Sequence, residues 1–205
     1  MPAARESLLE AAQTALAGRP WPAVRMVDVA AAAGVSRQTL YNEFGGKDGL
    51  ARALVRREAA WFLDGAERAL GPPGEDSARL LALADWTVRT ARARPLLRAL
   101  LIGGRDEDLP LPRPEPGAVP RPRREHRLPG PGELLAALRD RAAAALGGDE
   151  AVAHRCELAV RLALSYVLAP REEGAGAELR ELLALGAPHR GVSATNRTAG
   201  GRSPR

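Results

Sequence analysis

The sequence holds one cysteine, Cys156, so no disulfide can form within the chain. Cys156 falls in an apolar helical stretch and reads as a small buried residue. Aromatic residues are 3% of the chain, and Ile, Thr and Tyr are also scarce. Ala and Leu must therefore fill the core, which favours helices over sheets. His126, His154 and His189 stand apart, with no Cys or carboxylate at metal-ligand spacing. No glycine-rich loop follows a strand to cradle a phosphate. The acidic run Asp106-Glu107-Asp108 reads as solvated. Nothing in this inventory assembles a catalytic constellation, so the expectation is no enzyme, no metal and no cofactor.

No apolar run reaches transmembrane length. Residues 3–17 end in Ala15-Leu16-Ala17, which looks like a leader cleavage site. Glu6, Glu10 and Gln13 interrupt the run, however, and an amphipathic helix fits better. A cytoplasmic protein with no membrane partner is expected. Lysine is nearly absent as well: Lys47 stands alone against 29 arginines.

The net charge of +5 is mostly a tail effect. Arg190, Arg197, Arg202 and Arg205 carry +4 in a stretch without an acid, leaving +1 for the rest. Local charge is more telling. Between Ser36 and Arg57, Arg37, Lys47, Arg52, Arg56 and Arg57 face only Glu43 and Asp48, in keeping with phosphate contact.

The most specific segment runs from Val27 to Lys47. It reads as a short Ala-rich helix, a glycine turn, a second short helix and the start of a third, the spacing of a helix-turn-helix. Val29 and Ala33 lie four apart on one helix face. Ala30 and Ala31 are small enough for a close crossing. Gly34 stands where the chain reverses through a left-handed conformation, and Val35 plugs the angle between the helices. Ser36 is a good N-cap. Leu40 and Phe44 form a buried stripe. Arg37, Gln38, Thr39, Tyr41 and Asn42 are left on or near the outward face. Arg suits guanine, Gln suits adenine and the Thr methyl suits thymine. Tyr and Asn often contact phosphates. Lys47 begins the next helix, where amides and a cation together attract phosphate.

This segment resembles the N-terminal domain of the tetracycline-repressor-like (TetR/AcrR) family. The resemblance rests on Val29-Ala30, Ala33-Gly34-Val35-Ser36, Thr39-Leu40-Tyr41, Phe44, Lys47 and Leu50, and spans roughly residues 5 to 58. It implies an all-α protein: a small N-terminal three-helix helix-turn-helix domain plus a larger C-terminal helical ligand-binding and dimerisation domain. It also implies that Tyr41 and Lys47 touch the DNA backbone, and that Arg37, Gln38 and Thr39 meet bases or phosphates. Arg25 departs from the pattern, since members often carry a capping Thr or Ser there. Arg25 cannot cap in that way but can still reach a phosphate. Gly46 likewise replaces a common capping residue. The candidate DNA-contacting set is Arg25, Ser36, Arg37, Gln38, Thr39, Tyr41, Asn42 and Lys47.

The expected organisation is a DNA-binding head over residues 1–50, a helical body over 51–185 and a basic, disordered tail over 186–205. Helices are expected near 4–17, from Lys47 to about Leu70, at 75–93, 95–102, 133–146, 150–168 and 177–185. Eight of the 17 prolines fall in residues 103–132, which read as a long loop. Its Arg121, Arg123, Arg124 and Arg127 read as solvated. The last two helices are expected to form a homodimer interface, as the resemblance implies, although their apolar stripes would equally serve their own core. Trp61, Phe62, Trp86, Leu97 and Tyr166 are candidates for an effector pocket, against the plainer reading that they are core. The leading function is a ligand-responsive transcriptional regulator, most simply a repressor, binding a palindromic double-stranded DNA operator as a homodimer and released by a small molecule. A non-specific DNA-coating protein and a helical small-molecule binder without regulation remain as alternatives.

Overall fold

The computed structural model describes residues 2–104, 106–111, 128–169 and 181. Within them the chain is helical throughout. Helix α1 spans Pro2–Gly18, and a single 3-10 turn, Trp21–Ala23, follows it. Then come α2 (Met26–Ala32), α3 (Arg37–Phe44), α4 (Lys47–Ala69), α5 (Asp76–Ala93), α6 (Pro95–Ile102), α7 (Pro131–Ala145) and α8 (Glu150–Leu168). The all-α expectation holds. Ala and Leu dominate both cores, as the shortage of aromatics requires.

The buried residues form two clusters. In the first, Leu8, Leu9 and Ala12 of α1 meet Trp21, Val24, Val29, Ala30, Leu40 and Phe44. Leu50, Ala51, Ala53 and Leu54 of α4 complete it. The second begins at Val55 and Phe62 of the same helix and gathers α5, α6, α7 and α8. Thus α4 packs first in the head and then in the body, and the change falls between Leu54 and Val55. Its apolar residues Leu50, Leu54, Phe62 and Ala66 are buried along its length, while Trp61 is 39% exposed.

In the body, α5 and α8 pack most extensively, and α7 lies against α8 and α4. Glu58 is buried on α4 and is gripped from the α5–α6 junction by Arg94, through two bonds of 2.6 Å. That contact raises the Arg94 pKa, mainly through the hydrogen bonds to Glu58. The Arg94 guanidinium also lies 4.0 Å from the centroid of the Trp61 ring. Phe62 and Trp86 stack at 5.3 Å.

The expected loop ends earlier than residue 132. Pro131 and Gly132 already belong to α7. Proline is preorganised for a first helical turn, and the Glu133 carboxylate accepts from the Gly130 N–H at 2.9 Å. Residues 106–111 are turned back onto the body, where Leu109 and Leu111 pack on its core. Arg121, Arg123, Arg124, Arg127, His126, the expected helix at 177–185 apart from residue 181, and the 186–205 tail with His189 lie outside the described residues.

Candidate nucleic-acid interface

The turn between α2 and α3 is fixed by backbone chemistry. Gly34 has φ +67°, the left-handed region that glycine enters without strain. The Val35 N–H donates to Ala30 O at 3.0 Å and the Gly34 N–H to Ala31 O at 3.1 Å. This pair is a Schellman closure, and it satisfies two carbonyls that α2 leaves open. Val35 and Ala30 both pack on the head core, so Val35 does fill the angle between the helices. Ala31, expected at the crossing, faces solvent instead. On a helix of seven residues one narrow stripe reaches the neighbour, and Val29 and Ala30 occupy it.

Helix α3 starts as expected. Ser36 Oγ accepts from the Thr39 N–H at 3.0 Å and lies 2.8 Å from Thr39 Oγ1. Leu40 and Phe44 are buried. Gly45 closes the helix at φ +72°, its N–H on Tyr41 O at 2.7 Å. The exposed face then carries Arg37, Gln38, Tyr41 and Asn42, at positions i, i+1, i+4 and i+5. Thr39 is half-buried against its cap. Gln38 Nε2 donates to Asn42 Oδ1 at 2.8 Å. The pair steadies two exposed amides and leaves each with further hydrogen-bonding capacity, the pattern needed to meet a base edge or a phosphate.

Arg25 and Lys47 are more constrained than their positions in the sequence show. Arg25 is the N-cap residue of α2 and makes no side-chain cap. Its Nε and Nη2 close on the Asp28 carboxylate, both at 2.9 Å. That bond raises the Arg25 pKa and lowers that of Asp28. Lys47 folds back over the head. Its ammonium donates to Pro22 O at 2.9 Å and sits 5.2 Å from the Trp21 ring centroid. Burial pushes its pKa down, opposed by Asp48. Among the basic residues counted near the head, Arg57 pairs with Glu6 of α1 at 3.2 Å.

Two residues that shape this site were not singled out from the sequence. Gly49 lies in the first turn of α4, and a Cβ there would fall on the Phe44 carbonyl oxygen. Its lack of a side chain lets α4 approach the end of α3. A glycine inside a predicted helix, unfavourable by about 1 kcal/mol, was the available signal. Arg5 of α1 reaches the same end of α3, with Nη1 donating to Glu43 O at 3.1 Å. No short-range pattern links residues so far apart.

The effector-pocket candidates are placed in and around the body core. Phe62, Leu97 and Tyr166 are buried there, Trp86 is half-buried, and Trp61 stands at its edge. An open groove of about 610 Å³ lies elsewhere, between α1 and α2 of the head, and none of the five lines it. Among the described residues no helix is long and apolar enough to cross a membrane.

Comparison with known proteins bears on the family and the fold. The family model for bacterial regulatory proteins, tetR family, matches residues 8–54. The HTH-type transcriptional regulator AlkX of Mycobacterium tuberculosis (strain ATCC 25618 / H37Rv) is 34% identical over 192 residues, covering 92% of this chain and 87% of its own. The TetR family repressor AlkX from Dietzia sp. strain DQ12-45-1b superposes with a TM-score of 0.53 at 22% identity, covering 88% of this chain and 91% of its own. Thermus thermophilus FadR in complex with lauroyl-CoA superposes with a TM-score of 0.51 at 21% identity, covering 96% and 100%. With a helix-turn-helix head, an all-helical body and a relative similar along nearly its whole length, the chain belongs to the tetR family of bacterial regulatory proteins, which are DNA-binding transcriptional regulators.

Proposed function

We propose that the protein is a ligand-responsive transcriptional repressor, not an enzyme, that holds a near-palindromic operator as a homodimer in the cytoplasm. The carrying observation is the exposed face of α3, where Arg37, Gln38, Tyr41 and Asn42 stand together on a helix anchored by Leu40 and Phe44. Each subunit lays α3 in a major groove, and half-sites lie about one helical turn or a multiple of it apart. Arg37 and Gln38 read bases, with Thr39 beside them. Tyr41 and Asn42 position the backbone, and Ser36 caps the helix at the phosphates. Lys47 reaches a phosphate from the start of α4, and Arg25 does so by exchanging Asp28 for a phosphate oxygen.

The effector enters the body beside Phe62, Trp86, Leu97 and Tyr166, with Trp61 at the edge, and α4 carries the change to the head. A body lined by Leu and Ala suits an apolar chain. The Dietzia relative, implicated in biodegradation of n-alkanes, and the lauroyl-CoA held by the Thermus relative support this class of ligand. Dimerisation uses α8, whose Leu158 and Leu168 are exposed among the described residues, together with the helix expected at 177–185.

Fluorescence anisotropy on the DNA beside the protein's own gene tests the reading, with a scrambled duplex and Tyr41→Ala alongside across a salt series. The expected result is tight binding to the native fragment, weakened roughly 5- to 10-fold by Tyr41→Ala, the value of about one hydrogen bond to a phosphate. Equal binding to both duplexes that collapses with salt would instead identify a protein that coats DNA.

A further inference from the structure

We propose that Arg5 is a positioning residue for base reading: it fixes the C-terminal end of α3, and so the angle at which Arg37 and Gln38 meet base edges. The inference rests on the assignment of α3 as the reading helix.

Three contacts converge on one guanidinium. Arg5 Nη1 donates to the backbone carbonyl of Glu43 at 3.1 Å. It also lies 3.6 Å from the Glu43 carboxylate. Its Cζ sits 4.6 Å from the centroid of the Phe44 ring. The last carbonyls of a helix lack partners within it, and that end carries the negative pole of the helix dipole. Gly45 satisfies Tyr41 O, and Arg5 takes Glu43 O one turn-edge further on. A planar guanidinium can donate in its plane while stacking on a ring, which an ammonium cannot reproduce.

The position of α3 depends on its ends, because it has eight residues and only Leu40 and Phe44 are buried. The Ser36 cap and the Gly34 turn hold the first end. At the second, Arg5 ties α3 to α1, whose Leu8, Leu9 and Ala12 are deep in the head core. Bidentate base contacts need donors placed closely, so a loosened far end lowers discrimination without removing a phosphate contact.

The test is binding-site selection from a randomised duplex pool with the full chain, followed by salt-titrated anisotropy on the selected site. Arg5→Met, Arg5→Lys, Arg37→Ala and Gln38→Ala are compared, with thermal melting as the folding control. Arg5→Met is expected to blur the same base positions that Arg37→Ala or Gln38→Ala alters. Discrimination there should fall roughly 3- to 10-fold, part of a full base contact. The slope of log affinity against log salt should stay unchanged, because no phosphate contact is lost. Arg5→Lys should lie between wild type and Arg5→Met. A slope reduced by about one would make Arg5 a phosphate contact and overturn the proposal. A wild-type site with Arg5→Met, while Arg37→Ala or Gln38→Ala changes it, overturns the role of Arg5 alone. If neither of those variants changes the site, the assignment of α3 fails and the role of Arg5 fails with it. Should Arg5→Met not fold, Arg5→Lys decides: partial blurring supports the role and a wild-type profile overturns it.

Discussion

Lys47 and Cys156 show how tertiary contact decides what a side chain can do. Lys47 holds its ammonium on Pro22 O beside Trp21, so it is a fixed cation rather than a free surface one, and the phosphate contact proposed for it would start from that stance. Arg25, closed on Asp28, has the opposite character: it is highly exposed and its partner is exchangeable. Cys156 is fully buried, and burial pushes its thiol up to about 11. A raised thiol pKa means less thiolate at any lower pH. At pH 8 the thiolate population falls about 100-fold below that of an unperturbed thiol. Alkylation of the folded protein with iodoacetamide should therefore be at least about 100-fold slower than in urea, with a rate that climbs with pH. Fast labelling that is flat with pH would show an accessible, activated thiol instead.

Contact between elements is governed by what is missing from a side chain as much as by what is present. At Gly65 on α4, an added Cβ would lie 2.5 Å and 2.8 Å from two ring atoms of Trp86 on α5. Trp86 is itself stacked on Phe62, so the ring has little room to retreat. Gly65→Ala gains about 1 kcal/mol of helix propensity and loses about 1–3 kcal/mol to overpacking. The net expectation is destabilisation in urea unfolding, relieved when Trp86→Leu is combined with it. A Gly65→Ala protein more stable than wild type would show that the α4–α5 contact yields easily. The predicted ends of α5, α6 and α8 fall within a residue of those observed; in the structure Pro95 opens α6, and the Asp149 carboxylate caps α8 by accepting from the Val152 N–H, both local in the chain. The start of α7 was missed for a physical reason: Pro131 and Gly132 look like loop by composition, yet Pro is preorganised for a first turn that Glu133 then caps.

At the scale of the molecule, two cores share one helix, and the outer face of α8 presents Leu158, 47% exposed, and Leu168, 59% exposed. These lie ten residues apart, about 80° short of three full helical turns, so they border one side of the helix without sharing a single stripe. If that face joins two subunits, Leu158→Arg should yield monomers by sedimentation velocity and weaken binding to a two-half-site duplex far more than to a single half-site. A Leu158→Arg protein that stays dimeric would place the interface elsewhere.

The sequence by itself determined the helix-turn-helix, its turn, its cap and its outward residues. All of these follow from interactions within some twenty consecutive residues, where spacing and side-chain type are the physics. It also determined the helical class, since a core of Ala and Leu with few β-branched residues has little else to build. Only the tertiary structure decided that Arg5 meets Glu43, that Lys47 meets Pro22, and that Arg94 meets Glu58 and Trp61. The same holds for the fate of the apolar candidates: Phe62, Leu97 and Tyr166 went to the core and Trp61 to its edge. Hydrophobicity sets that such residues are buried, but the partner that covers each is chosen by packing between elements distant in the chain.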